Sequence, residues 1–270
     1  MDTLPKAKFK IRLSWQMGLT LLMFGYMYLP ILVLAVFSVN SSPFSARWEG
    51  FTLQWYEKFF SDGRILSALQ DSLSVAFLSV LVASVLGTLM AVGLAKYQFW
   101  GKGLYQGVAY LPLIIPDIAI AVATLVFLAS VAIPLSLATV IAAHVVFCLA
   151  YIALVVSTRL AGMNPHLEEA ALDLGATPIQ AFIKVLLPEL MPGIVSGCLL
   201  AFVLSMDDFL ISSFTAGGGI NTLPMEIYSR VRTGVKPDVN ALSVVLILGS
   251  GALAFAAEYI RFQGDQKRLS

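Results

Sequence analysis

Four carboxylates, Asp117, Asp207, Asp208 and Glu258, lie in stretches of the chain that are otherwise almost uncharged. An acid near the centre of a membrane-spanning helix costs about 2.5–3.5 kcal/mol on insertion scales, so each of these positions asks for a reason. Fixed negative charges along an enclosed path would do cation chemistry: they stabilise ammonium groups without trapping them, and aromatic faces such as Phe209 and Phe214 add cation–π attraction. Asp117 follows Pro112 and Pro116, which predict an interrupted helix with a lined cavity at the break. Asp207 and Asp208 are expected about 14 to 15 residues into a span, roughly 21 Å along it. Neighbours on a helix point about 100° apart, so the two are not expected to share a cavity. One would face the path, while the other caps, pairs with an outer arginine such as Arg230 or Arg232, or reaches water. The bland alternative is that the pair marks the end of a short span at the interface. Glu258 is expected to reach the headgroups beside Arg261.

The elements that position these acids follow from composition. Of the 270 residues, 59% are hydrophobic and 12% charged, about half the charge of an ordinary soluble domain. Such a chain lacks the polar residues to cover a soluble surface, and 17 basic against 16 acidic residues give no basic face for nucleic acid. Stretches of about 20 apolar residues predict six membrane spans: 15–39, 72–95, 105–131, 135–156, 193–214 and 242–260. The first follows Lys6, Lys8, Lys10 and Arg12 in the manner of a signal peptide, but its length and the lack of a small-x-small site predict an uncleaved span. With the N-terminus inside, the inner segments hold eleven Lys and Arg and the outer ones six, which favours both termini inside. Three loops remain: 40–71 and 215–241 outside, and 158–192 inside. The aromatic residues Trp48, Phe51, Trp55, Tyr56, Phe59 and Phe60 of the first suit the membrane interface, and 222–235 reads as an amphipathic helix.

The inner loop carries two helix signals in succession. Asn164 is expected to cap, Pro165 to open the first helix, and Gly175 to end it in a left-handed conformation. Thr177-Pro178-Ile179-Gln180 is a capping box, and the second helix is expected to stop by Leu187 because Pro188 follows. On the first helix Leu167, Ala170, Ala171 and Leu174 form a narrow apolar stripe. From the residues alone, that stripe either lies in a partner's groove or packs on the inner ends of the spans.

The order Glu169-Ala170-Ala171, three residues, Gly175, nine residues, then Val185-Leu186-Leu187-Pro188 resembles the EAA signature of permease subunits of bacterial ABC importers. Val185 stands where that family usually has Ile. Ser205-Met206-Asp207-Asp208-Phe209, Asn221-Thr222-Leu223-Pro224-Met225 and Val231-Arg232-Thr233-Gly234-Val235 are similar to the polyamine (putrescine/spermidine) branch. The resemblance implies an all-α membrane protein with the type I ABC importer permease fold in a bacterial inner membrane. It implies that Leu167, Glu169, Ala170, Ala171, Gly175 and Pro188 couple to ATPase subunits, two in number. It also implies a second homologous permease and a soluble polyamine-binding protein, with Asp117, Asp207, Asp208 and Phe209 along the substrate path.

Other chemistries find little support. No GxxxxGKS/T phosphate loop occurs, so any ATP would be hydrolysed by a separate chain. His144, His166, Cys148 and Cys198 lack metal-ligand spacing, and no cofactor is implied. Protease motifs such as HExxH and GxSxG are missing, and His144 is expected to be hydrogen-bonded inside the bundle rather than catalytic. A secondary cation transporter or channel would share the spans and acids but not the capped inner pair. An ABC permease for a different small solute would share both.

Overall fold

The computed structural model describes residues 15–43, 47–164, 166–234 and 237–269. The basic residues 6–12, Pro165 and the Glu258 side chain lie outside that description, and with them the expectations placed on them.

Helices make up nearly all of it: α1 (Trp15–Phe37), α2 (Gln54–Ser61), α3 (Gly63–Lys96), α4 (Lys102–Tyr110), α5 (Asp117–Ser130), α6 (Leu137–Ala161), α7 (Leu167–Asp173), α8 (Pro178–Ala181), α9 (Leu187–Asp207), α10 (Leu210–Thr215), α11 (Leu223–Arg232) and α12 (Pro237–Leu269). Among the described residues four helical stretches are long and apolar enough to cross a membrane: α1, α3, α6 and the run from Pro178 to Asp207. The pair α4 and α5, bent by 108°, makes a fifth if counted as one broken span, and α12 contributes a shorter apolar stretch, Pro237–Ala252. The break falls where Pro112 and Pro116 predict it, with a 3-10 turn at Leu111–Leu113 between the two helices.

The chain divides into two compact units, residues 60–234 with 246–270, and residues 1–59 with 235–245. In the smaller unit α1 is apolar on every face and has no buried residue, as suits a helix surrounded by lipid or by other chains. The segment after it is tied by the Trp55 indole donating to the Asn40 carbonyl at 2.7 Å and by Ser38 bonding the Tyr56 hydroxyl at 2.8 Å.

The larger unit is built around α6, whose buried face (Val140, Ala143, Phe147, Cys148, Ile152, Val156) packs between α3 and α9. Lipid gives helices no hydrophobic drive to associate, so close backbone approach has to supply the attraction. Glycines provide it. A Cβ on Gly87 of α3 would lie 2.9 Å from the Leu149 carbonyl oxygen, and one on Gly197 of α9 would lie 3.3 Å from the Ile152 Cα. The Ser79 hydroxyl adds a bond from α3 to the Ile141 carbonyl at 3.1 Å.

Two boundaries depart from the sequence reading. α3 begins at Gly63 rather than Ser72, because Asp62 caps it by accepting from the Arg64 and Ile65 amides. The second inner helix does not stop before Pro188. A π-helical turn at Phe182–Leu186 carries it into α9, so the fifth span and the inner loop form one continuous element. Pro188 sits in the first turn of α9, where its missing N–H is tolerated once the wider turn has shifted the hydrogen-bond register.

Candidate functional site

α9 ends at Asp207, and Asp208 is extended (φ −69°, ψ 122°) before the short α10 begins. The break changes the geometry of the acidic pair. A cavity of about 260 Å³ is lined by both Asp207 and Asp208, together with Asp117, Phe209, Pro112 and Tyr151. The expectation that adjacent acids would diverge is therefore wrong, since the 100° step holds only inside a continuous helix. Asp117 enters the same cavity as the first residue of α5, at the proline break opposite. All four path residues named from the sequence meet here.

The three carboxylates differ in their surroundings. Asp117 and Asp207 are exposed, and among the described residues no hydrogen bond or ion pair engages either. Asp208 has a side chain only 9% exposed. It accepts from the Ile211 amide at 3.2 Å, from the Ser212 amide at 2.8 Å and from the Ser212 hydroxyl at 2.9 Å. Arg230, offered from the sequence as its partner, instead bonds Asp62 at 2.7 Å and Glu226 at 2.8 Å. The expected internal hydrogen bonding of His144 is present: the ring is fully buried, with Nδ1 2.7 Å from the Ser205 hydroxyl and Nε2 3.0 Å from the Ser212 hydroxyl and 3.3 Å from Asp208.

Sequence reading missed Ser205, Ser212, Tyr151 and Tyr228. On α6, His144, Phe147, Cys148 and Tyr151 recur at helical spacing, the signal that could have placed Tyr151 with the others. The Phe209 ring stacks on Tyr228 of α11 with centroids 4.5 Å apart, so the aromatic edge of the cavity continues into the 215–241 loop.

The inner loop gives a second constellation. Asn164 does not cap α7; it accepts from the His166 amide two residues on, an Asx turn, and the helix starts at Leu167. Glu169 bonds His166 at 2.8 Å. The end of α7 follows the sequence expectation. Gly175 has φ +86°, its amide bonds the Leu172 carbonyl, and the Ala176 amide bonds the Ala171 carbonyl, which together make a Schellman motif. The Thr177–Gln180 capping box then opens α8. The apolar stripe divides between its two readings: Ala171 is buried and Leu167 half-buried, whereas Ala170 is exposed and Leu174 is 89% exposed. Ile179 and Ile183 extend the open half. Pro188 lies apart from this patch, at the start of α9.

Residues 83–262, two thirds of the chain, match the family described as "Binding-protein-dependent transport system inner membrane component". The chain belongs to that family. This transport component is 38% identical over 276 residues to the putrescine transport system permease protein PotI of Escherichia coli (strain K12), covering 100% of the chain and 97% of that relative. It is also 38% identical over 243 residues to the spermidine/putrescine transport system permease protein PotC of the same strain, covering 90% and 92%. Among solved structures, it resembles a bacterial ABC transporter involved in the import of the acidic polysaccharide alginate, with TM-score 0.67 at 16% identity over 92% of this chain and 94% of that one. The MetNI methionine ABC transporter matches with TM-score 0.59 and 25% identity over 74% and 95%. The first of these likenesses is one of fold alone.

Proposed function

We propose that the chain is the membrane permease subunit of an ATP-driven ABC importer that carries a polyamine inward by alternating access. The observation that carries this reading is the cavity at the two helix breaks, where three carboxylates and aromatic rings converge and no lining residue is basic. Acids left uncompensated at membrane depth call for a cationic cargo, and a flexible polycation with an apolar methylene chain matches carboxylates set among Phe209, Phe147 and Tyr151. The 38% identity to putrescine and spermidine/putrescine permeases supports the same cargo class, and the full-length match to the putrescine system favours putrescine.

In this reading α1, α3, the broken α4–α5 pair, α6, α9 and α12 form six spans with both termini on the cytoplasmic side of a bacterial inner membrane. The loop 158–192 docks on an ATPase subunit through Ala170, Leu174 and Ile179, whose exposure leaves an apolar patch for a partner's groove. Leu167, Ala171, Gly175 and Pro188 shape that loop, and Glu169 steadies its first turn through His166. The partners are two ATPase subunits, a second homologous permease and a soluble polyamine-binding protein that meets the outer loops 40–71 and 215–241.

Uptake of labelled putrescine by the assembled complex in proteoliposomes, competed with unlabelled spermidine, tests the proposal. ATP-dependent uptake with competition is expected. Uptake that proceeds without the ATPase subunits, or that neither polyamine competes, overturns it.

A further inference from the structure

The three carboxylates of the cavity do different jobs. We infer that Asp207, with Asp117, supplies the charge that meets the cargo, while Asp208 and His144 form a buried latch that stops α9 and turns Asp207 toward the cavity. This rests on the cavity being the polyamine path.

Hydrogen-bond accounting carries the inference. The Asp208 carboxylate receives two backbone amides and the Ser212 hydroxyl, so the Ser212 proton is already committed. His144 Nε2 faces that same hydroxyl oxygen and Asp208 Oδ2, neither with a proton to offer, so Nε2 must be the donor. Nδ1 is then free to accept from the Ser205 hydroxyl. The neutral Nε2–H imidazole satisfies every partner around it and brings a fourth donor to Asp208. A carboxylate so enclosed has little charge left to offer an ammonium group. Asp207, one residue earlier, has no partner among the described residues and is exposed.

The latch also explains a helix end that the local sequence does not mark. No glycine or proline lies between Ser205 and Thr215, yet α9 ends at Asp207. The extended Asp208 leaves its carboxylate under the first amides of α10, and His144 on α6 holds it there from a different helix. If α9 continued, Asp207 and Asp208 would point about 100° apart and only one could enter the cavity. His144 is thus a positioning residue for Asp207.

The test compares half-saturation with maximal rate in polyamine uptake by the whole complex, with each variant's yield checked by size exclusion. Asp207→Asn is expected to raise the half-saturating putrescine concentration about tenfold or more, the scale of one lost charged contact. Asp208→Asn and Asp208→Ser retain an acceptor for the α10 amides and should shift half-saturation by no more than about twofold. His144→Leu should lower the maximal rate severalfold, and His144→Gln, which keeps a donor at the Nε2 position, should recover part of it. His144→Leu combined with Asp208→Ala should cost no more than the worse single variant, since both break one unit. A half-saturation shift in Asp208→Ser as large as that in Asp207→Asn would overturn the assignment and leave the polyamine path standing. Unchanged half-saturation in Asp117→Asn, Asp207→Asn and Asp208→Asn alike would instead remove the path itself.

Discussion

Glu168 on the inner-loop helix α7 is ion-paired with Lys96, the last residue of α3. The loop is therefore attached to the bundle at two places, through α9 by the continuous chain and through α3 by this pair. Each partner side chain is about a quarter exposed, so the pair adds little to stability, in the range of 0.2–1 kcal/mol. Its effect should appear in coupling. Lys96→Glu is expected to cut transport severalfold while the complex still assembles and hydrolyses ATP. Restoration by the reversed pair, Lys96→Glu with Glu168→Lys, is the measurement that checks it; a double variant as poor as the single one counts against the link.

Gly175 has φ +86° and open space where a Cβ would stand, so a substitution there meets backbone strain and nothing else. Gly175→Val should cost roughly 1–2 kcal/mol locally and loosen the end of α7. The expected outcome is ATP hydrolysis no longer stimulated by loaded binding protein, at normal membrane yield. Normal uptake with normal stimulation would argue against a coupling role for this turn.

Gly217 and Gly218 make an internal control. A Cβ on Gly217 would lie 2.0 Å from the Leu135 carbonyl oxygen, a backbone atom that cannot swing aside, whereas Gly218 has nothing within 4 Å. Gly217→Ala should lower the melting temperature of the purified complex by several degrees and Gly218→Ala should leave it within about one degree. Equal shifts would mean that the loop gives way at this contact.

Acid should weaken the outer surface at a definable point. Burial by itself would raise the Asp62 carboxyl, but the hydrogen bond and charge of Arg230, with the Ile65 and Arg64 amides, outweigh it and hold the group below its ordinary 3.8. A folded-state value below the unfolded one contributes stability that is present above about pH 4 and is lost as the pH falls through the folded value. Thermal unfolding measured from pH 6 down to pH 3 should fall more steeply below pH 4 in the wild type than in Asp62→Asn. Parallel curves would show that this pair is not coupled to unfolding.

Much of this was legible in the sequence because it obeys local rules. The proline break before Asp117, the Thr177 capping box and the left-handed Gly175 each depend on residues a few positions apart. What stayed hidden was set by distant partners. Nothing near Asp208 says that the helix ends there, because the decisive neighbour is His144 on another helix, and so the acids were assigned to opposite faces. Pro188 misled in the other direction: a proline that normally stops a helix was absorbed by a change of turn. The apolar stripe of α7 could not be divided from sequence either, since burial of Ala171 and exposure of Leu174 depend on what packs beneath the loop.

The widened turn at Phe182–Leu186 also acts as a phase element. There the Leu187 amide reaches back to the Phe182 carbonyl, one residue farther than in an ordinary helix, so the turn holds one residue more than an α-helical turn would. Removing a single residue from this turn would let the helix close up as α and rotate everything after it by about 100° with a shift of about 1.5 Å. α9 would then present a different face to α6, with Gly193 and Gly197 no longer opposite Arg159 and Ile152, and Asp207 swung off the cavity wall. The odd residue in the inner loop thus keeps the acidic end of the span in register with the end that a motor would push.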